Sequence, residues 1–118
     1  MKELGEIAFF TDQVDKLTAF YEKLLGASPV ARSEGMSIFM LGSTKLFIHR
    51  TYTPEEGELP PENHIAFTVE DVDKACAELK EEGLIIEVEP ADYYWGRSAY
   101  LRDPDGILLE LNQPNEEE

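Results

Sequence analysis

Residues 6–16 read Glu-Ile-Ala-Phe-Phe-Thr-Asp-Gln-Val-Asp-Lys, and residues 64–74 read His-Ile-Ala-Phe-Thr-Val-Glu-Asp-Val-Asp-Lys. The second copy begins 58 residues after the first, which is about half of the 118-residue chain. Such a repeat predicts two copies of one supersecondary unit. A unit of this length is marginally stable by itself, so we expect the two copies to share a sheet or an interface.

The composition is typical of a soluble globular protein. Of the 118 residues, 42% are hydrophobic and 30% are charged, which suits a single compact domain over residues 1–118. No stretch approaches the ~20 apolar residues of a membrane span, and the N-terminus lacks the features of a secretory signal. The single cysteine, Cys76, cannot close an intrachain disulfide. We therefore expect a cytoplasmic protein.

The net charge is strongly negative, at −15. A surface of this sign repels phosphate backbones and anionic lipid, so nucleic acids and membranes are not expected as partners. The same surface attracts cationic ligands and divalent metals.

Apolar periodicity predicts the order β-α-β-β-β in each half. In the first half, residues 4–11 alternate as a strand, Asp12 is a candidate helix cap, and the helix that follows ends at Gly26. Three further strands are predicted at about 29–33, 36–41 and 45–51.

The second half is predicted to repeat this order. Its elements are a strand over 64–69, a helix over 72–82, strands over 85–88, 98–102 and 107–112, and an aromatic loop over 93–96. A segment rich in proline and glutamate, at about 53–63, is interpreted as the linker between module 1 (1–56) and module 2 (61–118).

Four potential metal ligands occupy matching positions in the repeat. Glu6 and His64 each precede Ile-Ala-Phe. A gapless alignment at an offset of 61 residues places His49 over Glu110 in the last strand of each unit. Strand parity turns all four side chains away from the apolar, helix-packed face. If the first and last strands of both units lie together, these four side chains face one space.

Two imidazoles and two carboxylates suit zinc, nickel, cobalt, manganese or ferrous iron, and the donor set does not choose among them. One such divalent ion could act as a Lewis acid toward a carbonyl or enediolate oxygen. Glu6 and Glu110 are then candidate catalytic residues, because a carboxylate beside the ion could exchange a proton with substrate. A single histidine at a strand start is more often structural, so the metal hypothesis depends on all four positions together.

The sequence resembles the vicinal oxygen chelate superfamily, which includes glyoxalase I, fosfomycin-resistance proteins, extradiol dioxygenases and bleomycin-resistance proteins. The resemblance covers essentially the whole chain. Its motifs are Glu6-Ile-Ala-Phe with Ala19-Phe20-Tyr21-Glu-Lys-Leu-Leu-Gly26, His64-Ile-Ala-Phe-Thr-Val-Glu-Asp-Val-Asp73, and Trp95-Gly96-Arg97-Ser98 leading to Asp103-Pro104-Asp105-Gly106-Ile-Leu-Leu-Glu110-Leu. It implies an α+β fold in which two βαβββ modules form an eight-stranded open barrel-like sheet with flanking helices, and it implies a homodimer.

The resemblance also implies a ligand set, with one metal ligand from the first strand and one from the last strand of each module. His64 and Glu110 match the two positions of the second module. In the first module the donors are exchanged, since glyoxalase I-like proteins usually have His or Gln where Glu6 stands and Glu near His49.

Several further residues are candidates for substrate binding. Trp95 and Arg97 precede the penultimate strand, where an aromatic ring could stack on a flat substrate and a guanidinium could hold a carboxylate. A packed loop with a salt bridge is the alternative. Tyr100 could donate a hydrogen bond, although a buried structural tyrosine has the same pattern. Three phenylalanines could line the cavity or belong to the core: Phe10, Phe39 and Phe47.

Two functions are compatible with this sequence. The first is a glyoxalase-like, metal-dependent enzyme that binds a small substrate with vicinal oxygens and catalyses isomerisation, addition or elimination. The alternative is a metal-free protein that sequesters a cationic drug such as bleomycin, which the acidic charge and Trp95 would favour.

Overall fold

The computed structural model describes residues 2–56, 59 and 61–115. Two compact units make up the chain. The first unit comprises residues 6–63, and the second comprises residues 64–115 together with residues 2–5 at the start of the chain. No described segment between 51 and 63 is a helix or strand, and residues 57, 58 and 60 of the predicted linker lie outside the described residues.

The first unit has the predicted order of elements. Its elements are β1 (Glu3–Thr11), α1 (Val14–Leu25), β2 (Ala31–Ser33), β3 (Met36–Leu41) and β4 (Thr44–Arg50). The strands β2, β3 and β4 form an antiparallel meander, and β4 pairs in parallel with β1. The helix begins at Val14 after the N-cap residue Gln13, rather than after the predicted cap, Asp12.

The second unit repeats this order. Its elements are β5 (His64–Thr68), α2 (Val72–Glu81), β6 (Val88–Tyr93), β7 (Gly96–Arg102) and β8 (Leu108–Pro114). Here β6, β7 and β8 are antiparallel, and β8 pairs in parallel with β5. Asp71 caps α2, since its carboxylate accepts a hydrogen bond from the backbone N–H of Lys74 at 3.1 Å.

The eight strands belong to one mixed sheet with the order β2-β3-β4-β1-β5-β8-β7-β6. The predicted α+β class with two βαβββ modules is therefore confirmed. The strands β2 and β6 lie at the two edges of this order. Neither described helix is long and apolar enough to cross a membrane.

Each unit buries one apolar face of its strands against its own helix. In the first unit the core consists of Val14, Phe39, Leu46 and Ile48, with Ile7, Phe9, Leu17, Tyr21 and Leu25 packed against it. In the second unit it consists of Val69, Val72, Cys76, Ile86, Ala99, Leu101 and Leu111, with Phe67, Ala75, Leu79 and Leu109 packed against it. The predicted parity is confirmed for the central strands, so the opposite face of each unit is left for polar chemistry.

The strand before the second hairpin differs from the prediction. The sequence predicts a strand over 85–88 and a loop over 93–96, whereas β6 covers Val88–Tyr93 and only Tyr94 and Trp95 form the turn. The segment Glu89-Pro90-Ala91-Asp92 has little strand propensity. An edge strand tolerates this composition because Pro90 lacks only an N–H that need not pair, and the register shifts between Val88 and Ala91.

Candidate functional site

The centre of the candidate site is a pair of side chains on β5 and β8. In the parallel register Ala66 lies opposite Glu110, and His64 lies two residues earlier on the same face. The Glu110 carboxylate reaches diagonally across, and its Oε1 lies 3.1 Å from His64 Nε2. The two side chains are only 12% and 5% exposed, so an imidazole and a carboxylate share a largely desolvated position.

The second carboxylate oxygen of Glu110 is held by two donors. The Ser98 hydroxyl donates to Glu110 Oε2 at 2.7 Å, and the indole N–H of Trp95 donates to the same oxygen at 3.2 Å. Ser98 is fully buried. Because one oxygen is occupied in this way, the orientation of the carboxylate leaves Oε1 facing His64.

Aromatic rings surround this pair. Tyr100 lies opposite Glu110 in the β7–β8 register, and its ring meets that of His64 edge-on with centroids 6.1 Å apart. Tyr93 stacks on Trp95 at 4.6 Å and also approaches Tyr100 edge-on. Burial, and secondarily the charge of Glu110, raise the pKa of Tyr93 above its usual value. Tyr93 is therefore a neutral phenol at physiological pH.

The first unit carries a different residue at the position equivalent to Glu110. Ala8 of β1 is the repeat counterpart of Ala66 of β5, and Ala8 lies opposite Phe47 on β4. Phe47, not His49, is therefore the structural counterpart of Glu110. The gapless alignment that places His49 over Glu110 is wrong by two residues.

The error in the alignment has a local cause in the hairpin turns. In the first unit Leu41 pairs with Thr44, which leaves only Gly42 and Ser43 in the turn. In the second unit the N–H of Asp103 donates to the carbonyl of Ile107, and the turn between them has three residues. One residue of the slip comes from this longer turn, and the other precedes β7.

The structure does not bring His49 to Glu6. In the β1–β4 register His49 lies opposite Phe10, whereas Glu6 lies opposite Lys45. The two residues are thus four positions apart, which is about 13 Å along a strand. His49 Nδ1 lies 2.7 Å from the carbonyl oxygen of Arg50, and its ring contacts three aromatic rings, those of Phe10, Phe47 and Tyr52.

Glu6 lies in the part of β1 that belongs to the first unit and is half-buried. Its side chain lies on the same face of β1 as Ala8 and Phe10, since alternate residues of a strand share a face. This is the face that carries Phe47 and His49 on β4. Phe10 and Phe47 therefore lie on the predicted face of the first unit.

Two of the predicted substrate-binding residues have other roles. Phe39 is 1% exposed and belongs to the core beneath α1, because its parity places it with Leu46 on the helix-packed face. Arg97 alternates with Ser98 and so points away from Glu110. Its guanidinium binds the Asp73 carboxylate through two hydrogen bonds of 2.7 and 3.0 Å, and Asp92 through one of 3.0 Å.

The Arg97 ion pairs shift the pKa values of the groups concerned. Hydrogen bonding to Arg97 lowers the pKa of Asp73, and the two carboxylates raise the pKa of the guanidinium. With its charge already compensated by two carboxylates, Arg97 connects the start of α2 to β6 and β7. For Arg97, the alternative stated from the sequence, a structural salt bridge, is therefore the better description.

Sequence reasoning does not single out Asn112 or the supporting role of Ser98. Asn112 lies opposite Ser98 in the β7–β8 register and donates to the Ser98 hydroxyl at 2.9 Å. Asn112 lies two positions after Glu110 on β8, and Ser98 lies two positions before Tyr100, the partner of Glu110 on β7. All of these side chains therefore share one face of the sheet. That spacing is the available signal, and it gains meaning only once the register of β7 and β8 is known.

The chemistry of the donor pair fits a divalent cation. An imidazole nitrogen and a carboxylate oxygen are both donors that zinc and similar divalent ions accept. The 3.1 Å between His64 Nε2 and Glu110 Oε1 brings the two donor atoms close enough together that they could share one ion. The hydrogen bonds to Glu110 Oε2 are the kind of outer contacts that orient metal-ligating carboxylates.

Comparison with known proteins identifies the family. Residues 3–111 match the Glyoxalase/Bleomycin resistance protein/Dioxygenase superfamily, and the chain belongs to it. Metallothiol transferase FosB from Shouchella clausii (strain KSM-K16) is 30% identical over 118 residues, which cover 92% of this chain and 78% of that protein.

One further relative and one solved structure are also similar to this chain. A probable lactoylglutathione lyase from Vibrio cholerae serotype O1 (strain ATCC 39315 / El Tor Inaba N16961) is 30% identical over 113 residues, covering 85% of this chain and 82% of the relative. A variant of the methylmalonyl-CoA epimerase from Streptomyces coelicolor, in complex with 2-nitronate-propionyl-CoA, has the same fold, with a TM-score of 0.69 and 23% identity. The alignment covers 98% of this chain and 96% of the epimerase.

Proposed function

We propose that the protein is a metal-dependent enzyme that acts on a small substrate with two neighbouring oxygens. One divalent ion would be held by His64, Glu110 and Glu6. The observation that carries this proposal is the largely buried pair of His64 Nε2 and Glu110 Oε1 at 3.1 Å. The similarity to a metallothiol transferase and to a lactoylglutathione lyase supports it.

Glu6 is proposed as the third ligand because it is the repeat counterpart of His64. The donor set is then one imidazole and two carboxylates, and the two carboxylates balance the charge of a divalent ion. Zinc, nickel, cobalt, manganese and ferrous iron all accept such donors. Phe47 replaces a possible fourth ligand, so more of the coordination sphere would be left to water or substrate than with four protein ligands.

The ion and the two carboxylates have separate proposed roles. When bound, the ion would polarise the substrate oxygens as a Lewis acid. Glu110 is held by Ser98 and Trp95 through Oε2, and we therefore assign it a ligand role. We assign proton exchange with the substrate carbon to Glu6. The reaction class is isomerisation, addition or elimination next to a carbonyl or enediolate.

Two aromatic residues would orient the substrate. Tyr100 is 4% exposed and lies beside His64, and Trp95 presents a ring that is stacked on Tyr93. A stacked pair holds its ring planes in place, which favours a substrate with a flat group next to its two oxygens. The expected homodimer remains a prediction, to be checked by the solution mass of the same preparation.

Elemental analysis of protein purified without chelator tests the metal site. We expect close to one divalent ion per chain in the wild type and in His49→Ala, which is the matched control because it removes an imidazole from the same sheet. His64→Ala and Glu110→Ala should each weaken binding by more than about 100-fold, since the loss of outer contacts alone costs about 10–100-fold. Metal loss in His49→Ala with retention in His64→Ala would refute this ligand assignment.

Activity is tested by solvent deuterium exchange into hydroxyketones and 2-oxo acids, followed by proton NMR. Exchange should stop when a chelator removes the ion and return when metal is added, and it should fall in Glu6→Gln, which keeps the size of the side chain and removes its basicity. The drug-binding alternative is supported by the net charge of −15 and the stacked indole of Trp95. Metal-free protein that binds aromatic cations tightly, with no exchange on any substrate, would establish that alternative instead.

A further inference from the structure

Three side chains form a hydrogen-bond network with the Glu110 carboxylate: Trp95, Ser98 and Asn112. Ser98 Oγ receives one hydrogen bond from Asn112 Nδ2 at 2.9 Å and one from Trp95 Nε1 at 3.1 Å. A hydroxyl has two acceptor lone pairs and one hydrogen. Because both lone pairs are occupied, the hydrogen of Ser98 can only point to Glu110 Oε2, 2.7 Å away.

The indole N–H of Trp95 is shared between two acceptors, Ser98 Oγ at 3.1 Å and Glu110 Oε2 at 3.2 Å. Both donors to Glu110 therefore converge on one oxygen, and the other oxygen is directed to His64. In the described part of the chain no buried side-chain nitrogen or oxygen lacks a partner.

We propose that Ser98, supported by Trp95 and Asn112, is the positioning residue that sets the metal affinity of the site through Glu110. This inference rests on the proposed metal-dependent function and deepens it. Ser98 is not proposed as a ligand, and its effect is to hold Glu110 Oε1 where it can share an ion with His64. The network also makes Trp95, the single tryptophan of the chain, a direct reporter of the state of Glu110.

The test measures Zn²⁺ affinity by competition with a chromophoric chelator. Ser98→Ala should weaken Zn²⁺ binding by about 10–100-fold, which is the usual cost of losing an outer contact to a ligand. Trp95→Phe keeps the ring against Tyr93 and removes the N–H, and it should weaken binding by up to about tenfold. In the wild type, Zn²⁺ should change the emission of Trp95, and this change should saturate at the same concentration as the competition signal.

Ser37→Ala is the matched control. Ser37 is a fully buried serine on β3, and its hydroxyl bonds that of Thr18 at 2.9 Å beneath α1. The substitution should lower thermal stability while leaving Zn²⁺ affinity within about twofold, so a general loss of packing is separated from a loss of positioning. If Ser98→Ala does not fold, Trp95→Phe carries the test.

Each outcome has a distinct meaning. Wild-type protein that binds Zn²⁺ while Ser98→Ala and Trp95→Phe bind it equally well would overturn the positioning role and leave the proposed function standing. An equal loss of affinity in Ser37→Ala would also overturn it. Wild-type protein that binds none of Zn²⁺, Ni²⁺, Co²⁺, Mn²⁺ and Fe²⁺ would overturn the proposed function itself.

Discussion

Phe47 in the first unit and Glu110 in the second occupy the same place, each opposite an alanine of the neighbouring parallel strand. On the helix-packed face, it is the first unit that has the polar residues. Thr18 and Ser37 form a buried hydroxyl pair in the first unit, whereas their counterparts in the second unit are Cys76 and Ala99, both core residues. The first unit thus has its buried polar pair under the helix, and the second has its polar network on the other face.

This exchange shows that the βαβββ scaffold does not require a polar group at either place. Both units bury an apolar layer between helix and strands, and each accommodates a hydrogen-bonded polar pair on one side of that layer. The network around Glu110 is therefore not needed for the fold, because the first unit reaches the same fold with Phe47 at that position.

The largest expected effect is on stability, when the buried hydroxyl pair of the first unit is replaced by the residue types found at the equivalent positions of the second unit. Thr18→Cys alone leaves the fully buried Ser37 hydroxyl without its partner, and should lower the free energy of unfolding by about 1–3 kcal/mol. Thr18→Cys with Ser37→Ala removes both polar groups and should recover most of that loss. Urea unfolding of the wild type, the two single variants and the double variant measures the coupling, and additive losses would show that the two hydroxyls act independently.

A smaller effect is expected from giving the first unit a second metal donor. Phe47→His would place an imidazole two positions diagonally from Glu6, which is the arrangement of Glu110 and His64 in the second unit. We expect Zn²⁺ affinity to rise about tenfold, or about 1.4 kcal/mol, as measured by the same chelator competition. His49→Ala should leave the affinity unchanged, and an unchanged affinity in Phe47→His would show that Phe47 does not occupy a ligand position.

The smallest effect concerns Asp73, whose pKa is lowered by its hydrogen bonds from Arg97. A carboxyl group with a lowered folded-state pKa contributes stability above its unfolded pKa of about 3.9 and loses it as the pH falls through the folded value. Asp73→Asn should therefore lower the melting temperature slightly at pH 7 and by less at pH 3, below the unfolded value. The repeat counterpart of Asp73 is Asp15, which binds Arg32 of β2 at 3.2 Å and offers the matching variant in the first unit. An equal effect of Asp73→Asn at both pH values would assign the loss to helix packing instead.

Much of the fold could be predicted because it depends on local periodicity. The repeat of residues 6–16 and 64–74 predicts two units, and the parity of Ile7 and Phe9 predicts which face meets the helix. Parity also places Ser98 and Tyr100 on one face of their strand. These inferences need only alternation within one strand.

The site could be predicted less well because it depends on register between strands. A single extra turn residue in the second hairpin, with a second shift before β7, moves the counterpart of Glu110 from His49 to Phe47, and no feature of composition marks such a slip. The sequence predicts a loop at the start of β7, and for this reason it does not show that Arg97 lies on the face of β7 opposite to the one that carries Ser98. The edge position that lets β6 include Pro90 is likewise a property of the sheet and not of the segment.

That edge strand has a consequence for solubility at high concentration. An unpaired strand edge offers a row of donors and acceptors to any other extended chain. Pro90 removes one donor from this row, and the irregular register at Ala91 disturbs its spacing. At the opposite border β2 has only three residues, which is short for templated strand addition. Both borders are thus poor seeds for amyloid-like growth, even in a preparation concentrated enough for metal titration.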